Sequence, residues 1–367
     1  MKNRKKRGLF AGLFFAFIAL SLFACSLSRA QNEDSGQHGP SGRSGQSGQS
    51  LVLMTWNLHN LFDASDTGSR YDQFRGSAGW SAEKYLGRLN VMAAAISQIH
   101  PPPDLIAVQE VGSKEALQDL AALLPGYHWT HFAANPGAPV GLGVISRYPL
   151  EKTAAHSVYL NGITAPRPVQ EVHIDAGGQR LVIFNNHWKS KVGGADATEA
   201  QRMASARVSL RRLRELAAAE ENPLVIILGD LNVNHDDFFR RGAAVYALLS
   251  DHPEAAKAAG GLQMDFLVTS GEKPPLPRYF PEDTFVFFSP WYHAGGGSYF
   301  FRNSWQTIDH FLLSAGFFGG SPWVYADFIV IDSPPFANSR GSPAAFNPRT
   351  GIGMSDHFPL LLVLRKR

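Results

Sequence analysis

Six times in this chain an apolar, β-like run ends in a short polar or acidic group: Trp56-Asn57, Gln109-Glu110, Asn186-His187, Gly229-Asp230-Leu231-Asn232, Ile308-Asp309-His310 and Ser355-Asp356-His357. Polar groups are costly to desolvate inside a core, so a sequence that repeats this arrangement raises them to one rim of the fold. Singly, each has a bland explanation: Asn57 as a turn former, Glu110 as a helix N-terminal carboxylate, Gly229 to Asn232 as a strand-to-loop turn, Asp356 as a cap. Their recurrence after β-like runs favours a shared site.

The runs themselves predict strands over 51–56, 105–108, 140–145, 169–174, 181–185 and 224–228, each bounded by Gly, Pro or Asn, with later strands at 300–301, 308–313, 328–331 and 358–364. Helical periodicity covers 81–99 and 196–219; the second carries Met203, Val208, Leu210, Leu213 and Leu216 on one stripe and its Arg and Glu residues on a solvated face. Strands mixed with amphipathic helices predict an α/β fold in which two sheets pack face to face with helices outside. The Pro-, Gly- and aromatic-rich stretch 271–297 predicts long loops over one end.

The amino-terminal fifty residues differ from the rest. Residues 1–7 are basic and Gly8 to Ala24 is uncharged and apolar, the layout of a secretory signal, though its length alone does not exclude a membrane anchor. Leu22, Phe23, Ala24 and Cys25 resemble the bacterial lipobox, whose cysteine receives the lipid; Phe23 departs from the commoner small residue. The expected organisation is therefore a signal peptide over 1–24, a Gly/Ser/Gln tether over 25–50 and one catalytic domain over 51–367. Such a chain would sit in the bacterial cell envelope, anchored to a membrane by the lipid on Cys25 and outside the cytoplasm. Cleavage after Ala30 would release it instead.

Cys25 is the one cysteine, so no intramolecular disulfide forms. The formal charge of +3 invites a nucleic-acid reading, but Lys2, Arg4, Lys5, Lys6 and Arg7 lie in the leader and the remainder is slightly acidic. The 44% hydrophobic and 18% charged content excludes disordered, collagenous and polytopic membrane classes. No heptad run signals a dimer, and a monomer is expected.

The run Thr55 to Asp63, followed by Gln109-Glu110, Asn186-His187-Trp188-Lys189-Ser190-Lys191, Gly229-Asp230-Leu231-Asn232, Ile308-Asp309-His310 and Ser355-Asp356-His357, resembles the endonuclease/exonuclease/phosphatase superfamily in order and spacing. The resemblance covers nearly all of 51–367. It implies a deoxyribonuclease I-like, four-layer sandwich of two mainly antiparallel sheets flanked by helices. It implies a divalent cation, magnesium with manganese or calcium as alternatives, held by Asn57 and Glu110 and assisted by Asp356; hard oxygen donors suit such ions. It further implies that Asp230 and Asn232 orient and deprotonate the attacking water, that Asp309 and His357 form a carboxylate–histidine pair, and that His187 contacts the phosphate and protonates the leaving oxygen. His59 departs from branches with an acidic or amide residue there. His310 reads as packing, and the run His235, Asp236, Asp237 as a solvated loop or cap.

Three functions compete. The first is a nuclease cutting DNA or RNA, with Lys189 and Lys191 as phosphate contacts. The second is a sphingomyelinase-like or other lipid or small-molecule phosphodiesterase, motivated by Phe285, Phe287, Phe288, Trp291 and Tyr292 if they are exposed at the rim. The third is a surface binding protein on a dead scaffold, which the intact polar set opposes. Gly-x-Ser-x-Gly spacing is absent, and the resemblance calls for no covalent intermediate. A nuclease is the favoured expectation.

Overall fold

Successive side chains of a strand point to opposite faces, and the first strand, Ser50–Leu61, uses both. Leu51 and Leu53 point into the layer between two sheets, where they join Leu181, Ile183, Leu224, Ile226 and Leu228. Val52, Met54 and Trp56 face outward into a cluster with Tyr85, Leu89 and Met92 of helix α1 (Ala82–Ser97) and Leu117 and Leu120 of α2 (Lys114–Ala122). Across the molecule, Val182, Phe184, Val225 and Ile227 pack with Ala204, Leu210 and Leu213 of α3 (Glu199–Ala219). Strands covered on both faces must be apolar throughout, which is why these read as continuous runs. Each fully buried leucine or isoleucine contributes about 2 kcal/mol to this burial.

The computed structural model describes residues 49–65, 71–242, 244–262 and 265–367. The predicted signal peptide, Cys25 and nearly all of the tether lie outside those residues. Ser50, assigned to the tether by composition, is the first residue of a strand and pairs with Arg365. No helix among the described residues is long and apolar enough to cross a membrane.

One sheet has six strands in the spatial order Trp323–Val330, Leu360–Lys366, Ser50–Leu61, Leu105–Val111, Gly141–Ser146, Trp129–Ala133. The other has eight: Leu248–Ser250, Leu267–Ser270, Val286–Phe288, Asp309–Leu313, Leu224–Asp230, Arg180–His187, Val169–Asp175, Leu150–His156. Helices on the outer faces complete four layers. Both sheets are mixed: Ser50–Leu61 runs parallel to Leu105–Val111, and Leu224–Asp230 parallel to Arg180–His187.

Three expectations need correction. The stretch 271–297 is not all loop, because Val286–Phe288 is a strand of the larger sheet and packs Phe287 and Phe288 fully into the core. Tyr299–Phe301 belongs to neither large sheet; it forms a separate hairpin with Ser304–Gln306. The second long helix starts at Glu199, after turns that include Asp196.

Candidate active site

Register does most of the assembly. Asp230 is opposite His187 on its parallel neighbour and opposite Asp309 on its antiparallel neighbour, so three polar residues from three chain segments form one row at a sheet end. Asn57 is opposite Gln109, which places Asn57 and Glu110 at the adjoining end of the other sheet. The last strand pairs Leu360 with Thr55, so the chain just before it delivers Ser355, Asp356 and His357 beside Asn57. Ser355 Oγ donates to the Asn57 carbonyl at 2.6 Å, and the Trp56 indole donates to the His357 carbonyl at 2.9 Å.

The two rims meet through side chains. Asn57 Nδ2 donates to Asp230 Oδ2 at 3.0 Å and to Glu110 Oε1 at 3.3 Å. His187 Nε2 lies 3.6 Å from each of the same two carboxylates. Asn232 donates its backbone N–H to Asp230 Oδ1 at 2.9 Å and its amide to the Trp188 carbonyl at 3.1 Å. His357 Nδ1 and Asp309 Oδ2 are 2.7 Å apart, Ser298 Oγ donates to the same oxygen at 2.5 Å, and Tyr299 stacks on the imidazole at 4.6 Å. Glu110 and Asn232 hold left-handed backbone, at φ 61° and 54°, an uncommon conformation for a side-chain-bearing residue that here sits at the chemistry.

Beneath the rim, between the sheets, lies a neutral amide network. Gln109 donates to Asn185 Oδ1 at 2.7 Å and to Thr55 Oγ1 at 3.1 Å, and Asn185 donates to Gln170 Oε1 at 2.8 Å. These groups are fully buried. Buried and bonded polar side chains of this kind rigidify the floor on which the charged groups stand.

Electrostatics divide the imidazoles. Burial works against a charge on His357, but the Asp309 carboxylate overrides it and pushes the group up to about 10. Burial, with Arg167 and His357 adding to it, holds His187 well below the ordinary histidine range. One imidazole is thus cationic and the other neutral at pH 7. Burial first, then the Asp309 carboxylate, raises Asp230 to about 7.

Carboxylates outnumber cations here, and Asp309 Oδ1 is buried with no hydrogen-bond partner among the described residues. Ligand atoms of Asp230, Asp309 and His357 lie within 4.8 Å of one another. An orphaned Asp309 oxygen beside Asp230, with the Glu110 carboxylate bridged to Asp230 through Asn57, is an oxygen-rich set that fits a hard divalent cation.

Asp356 stands farther out, 3.6 Å from His59 Nδ1 and 3.9 Å from His357 Nε2. Lys191 is held by Asp237 at 2.7 Å rather than presented to the rim. Lys189 donates only to Ser190 and the Val192 carbonyl, and makes no ion pair among the described residues. His310 packs inward, its Nε2 2.8 Å from the Val233 carbonyl. Trp291 is buried and donates to the Asp309 carbonyl at 2.8 Å, supporting the site from behind.

Sequence reasoning missed Arg167. Gln170 is opposite Asn185 on antiparallel strands, so the chain ahead of Val169 passes beside His187, and Arg167 shares a cavity wall with it. An arginine between two prolines, Pro166 and Pro168, at a strand start was the available signal.

A rim of carboxylates, amides and two unlike imidazoles on two packed sheets is the equipment of a hydrolase that handles negatively charged esters, here phosphoesters. The Endonuclease/Exonuclease/phosphatase family matches residues 52–245, and the chain belongs to that family, whose enzymes hydrolyse phosphoester bonds and generally depend on a divalent metal. Among solved structures, truncated Caenorhabditis elegans TDP2 is similar at a TM-score of 0.52 and 16% identity, covering 86% of this chain and 97% of that one. Danio rerio TDP2 complexed with single strand DNA product gives 0.51 and 16%, over 86% and 99%. A mannosyl-6-phosphatase of Bacteroides thetaiotaomicron gives 0.50 and 17%, over 86% and 99%. These likenesses show the two-sheet fold. A search of curated proteins finds no match.

Proposed function

We propose that this chain is a metal-dependent phosphodiesterase that cuts nucleic acid by direct attack of water, working outside the cytoplasm. The observation that carries it is the row His187–Asp230–Asp309 across three adjacent strands, faced by Asn57 and Glu110 from the other sheet. The fold does not choose the substrate, since a DNA-bound neighbour and a sugar-phosphatase neighbour share it. Arg167 and Lys189, which line a cavity with His187 and make no ion pair among the described residues, favour a substrate with backbone phosphate. Burial of Phe287, Phe288 and Trp291 removes the main argument for a lipid surface.

Glu110 and Asn57 would hold a divalent cation, with Asp356 at the outer edge, and the chemistry it would supply there is positive charge to offset the negative charge of the phosphoryl group. Asp230, fixed by Asn57 and Asn232, takes the proton of the attacking water. His357, held by Asp309, offers Nε2 to the phosphoryl oxygens, and its charge offsets the negative charge of the transition state. His187 Nε2 faces the same centre, and because burial keeps this imidazole neutral it donates a hydrogen bond to the departing oxygen, which takes its proton from solvent. The leader and Cys25 support export and a lipid anchor as the setting.

The test is nicking of supercoiled plasmid by the purified protein with magnesium or manganese, beside an EDTA control and His357→Ala. Nicking by the wild type alone, abolished by EDTA, is the expected outcome. A folded, metal-supplied wild type that leaves plasmid and RNA intact would move the assignment to small phosphoesters.

A further inference from the structure

A cavity of about 410 Å³ opens beside His187, between the hairpin that pairs Tyr159 with Thr164 and the first turns of α3. Its size is that of a small-molecule pocket. Val158, Leu160 and Ala204 give it an aliphatic wall, while Asn161 and Gln201 contribute side-chain amides that make no hydrogen bond among the described residues. Arg167 and Lys189 also line it, and neither is in an ion pair among the described residues. Among the described residues no carboxylate and no Phe, Tyr or Trp ring lines it, which disfavours a quaternary ammonium headgroup. The walls are fixed: Asn135 Nδ2 donates to the Ala165 carbonyl at 2.7 Å, Ala165 N–H to the Val158 carbonyl at 2.8 Å, and Arg202 to the Lys189 carbonyl at 3.0 Å.

We propose that this cavity is the leaving-group subsite and receives the nucleoside on the departing side of the scissile phosphate, a proposal that rests on the nuclease reading above. Its aliphatic wall packs a base face, its free amides bond a base edge in either direction, and Arg167 and Lys189 keep the attached phosphate against His187. A pocket of defined shape that must be filled discriminates by about tenfold or more.

The experiment uses the full-length protein with magnesium and a single-stranded DNA in which one nucleotide is replaced by an abasic tetrahydrofuran residue, with products mapped bond by bond. The bond whose departing side lacks a base is expected to be cut at least about tenfold more slowly than the same bond in the intact strand. Thr164→Trp, made on the exposed hairpin and filling the cavity, removes that difference, and Gln201→Ala reduces it. Tyr159→Ala, on the same hairpin but outside the lining, retains it. Equal rates in the wild type, or a difference that survives Thr164→Trp, overturn the subsite and leave the nuclease reading standing. Wild type that cuts no nucleic acid yet hydrolyses bis(p-nitrophenyl) phosphate overturns both.

Discussion

Arg88 reaches from the middle of α1 to the carbonyls of Leu58, His59 and Asn60 on one side and of Met354 on the other, and its planar group lies 3.8 Å from the Phe346 ring centroid. One fully buried guanidinium therefore clips the irregular stretch of strand after Asn57 to the segment that carries Asp356 and His357.

Removing that clip leaves several buried carbonyls without donors. Arg88→Met is expected to cost about 3 kcal/mol or more in stability, read as a shift in denaturant midpoint at unchanged slope. Arg88→Lys recovers only part of it, because an ammonium lacks the planar fork. An Arg88→Met protein as stable as wild type would show that the clip is idle.

Asp309→Asn keeps the shape of the pair with His357 and removes its charge. The expected result is a fall of about 10²–10³-fold in kcat with little change in melting temperature. If kcat stays within about threefold, His357 does not act through this pair.

Gly229 precedes Asp230 with φ +112°, and a Cβ there would stand 2.1 Å from the Asn186 carbonyl oxygen. Gly229→Ala is expected to destabilise the fold by about 2–3 kcal/mol and to displace both Asp230 and His187. Thermal melting and plasmid nicking should fall together. A variant that melts like wild type would contradict the close approach.

Away from the rim, Glu171 is buried under α3 between His156 and His173, at 2.6 Å each, with Arg212 at 2.8 Å. Burial alone would raise this carboxyl, but the two imidazoles and the guanidinium hold it far below the usual carboxylate range. A depressed folded-state value stabilises the protein fully above the unfolded carboxylate range, near 4.5, and that contribution is lost as pH falls further. Melting temperature should drop as pH goes from about 5 towards 3, and Glu171→Gln should flatten that slope.

The strand ends were legible because a run buried on both faces must be apolar and the polar group after it must reach the rim. Asn57, Glu110 and Asp230 announce themselves in this way, whereas Asp309 begins the strand Asp309–Leu313 and reaches the rim because that strand runs antiparallel to Leu224–Asp230. Short strands such as Leu248–Ser250 and Leu267–Ser270 carry too few residues to show a period, and only pairing with their neighbours makes them strands. Composition misplaced Phe287, Phe288 and Trp291: among prolines and glycines they looked like loop aromatics, yet strand pairing buries the two phenylalanines and a short 3-10 turn buries Trp291 against the Asp309 carbonyl. The partner of Lys191, Asp237, comes from a distant segment, so nothing local distinguished a structural lysine from one that meets phosphate. Arg167 was hidden for a related reason, since its place beside His187 exists only through the register of Gln170 with Asn185.

The row His187–Asp230–Asp309 works as a ruler laid across three strands. Deleting one residue from Leu224–Asp230 would turn Asp230 to the opposite face and shift it by about 3.3 Å, so the strands tolerate no change of length. The hairpin Tyr159–Thr164 belongs to neither large sheet and is under no such constraint. Reactivity and selectivity are thus written in separate parts of the chain, and remodelling the hairpin offers a route to new substrates with the bond-breaking groups left in place.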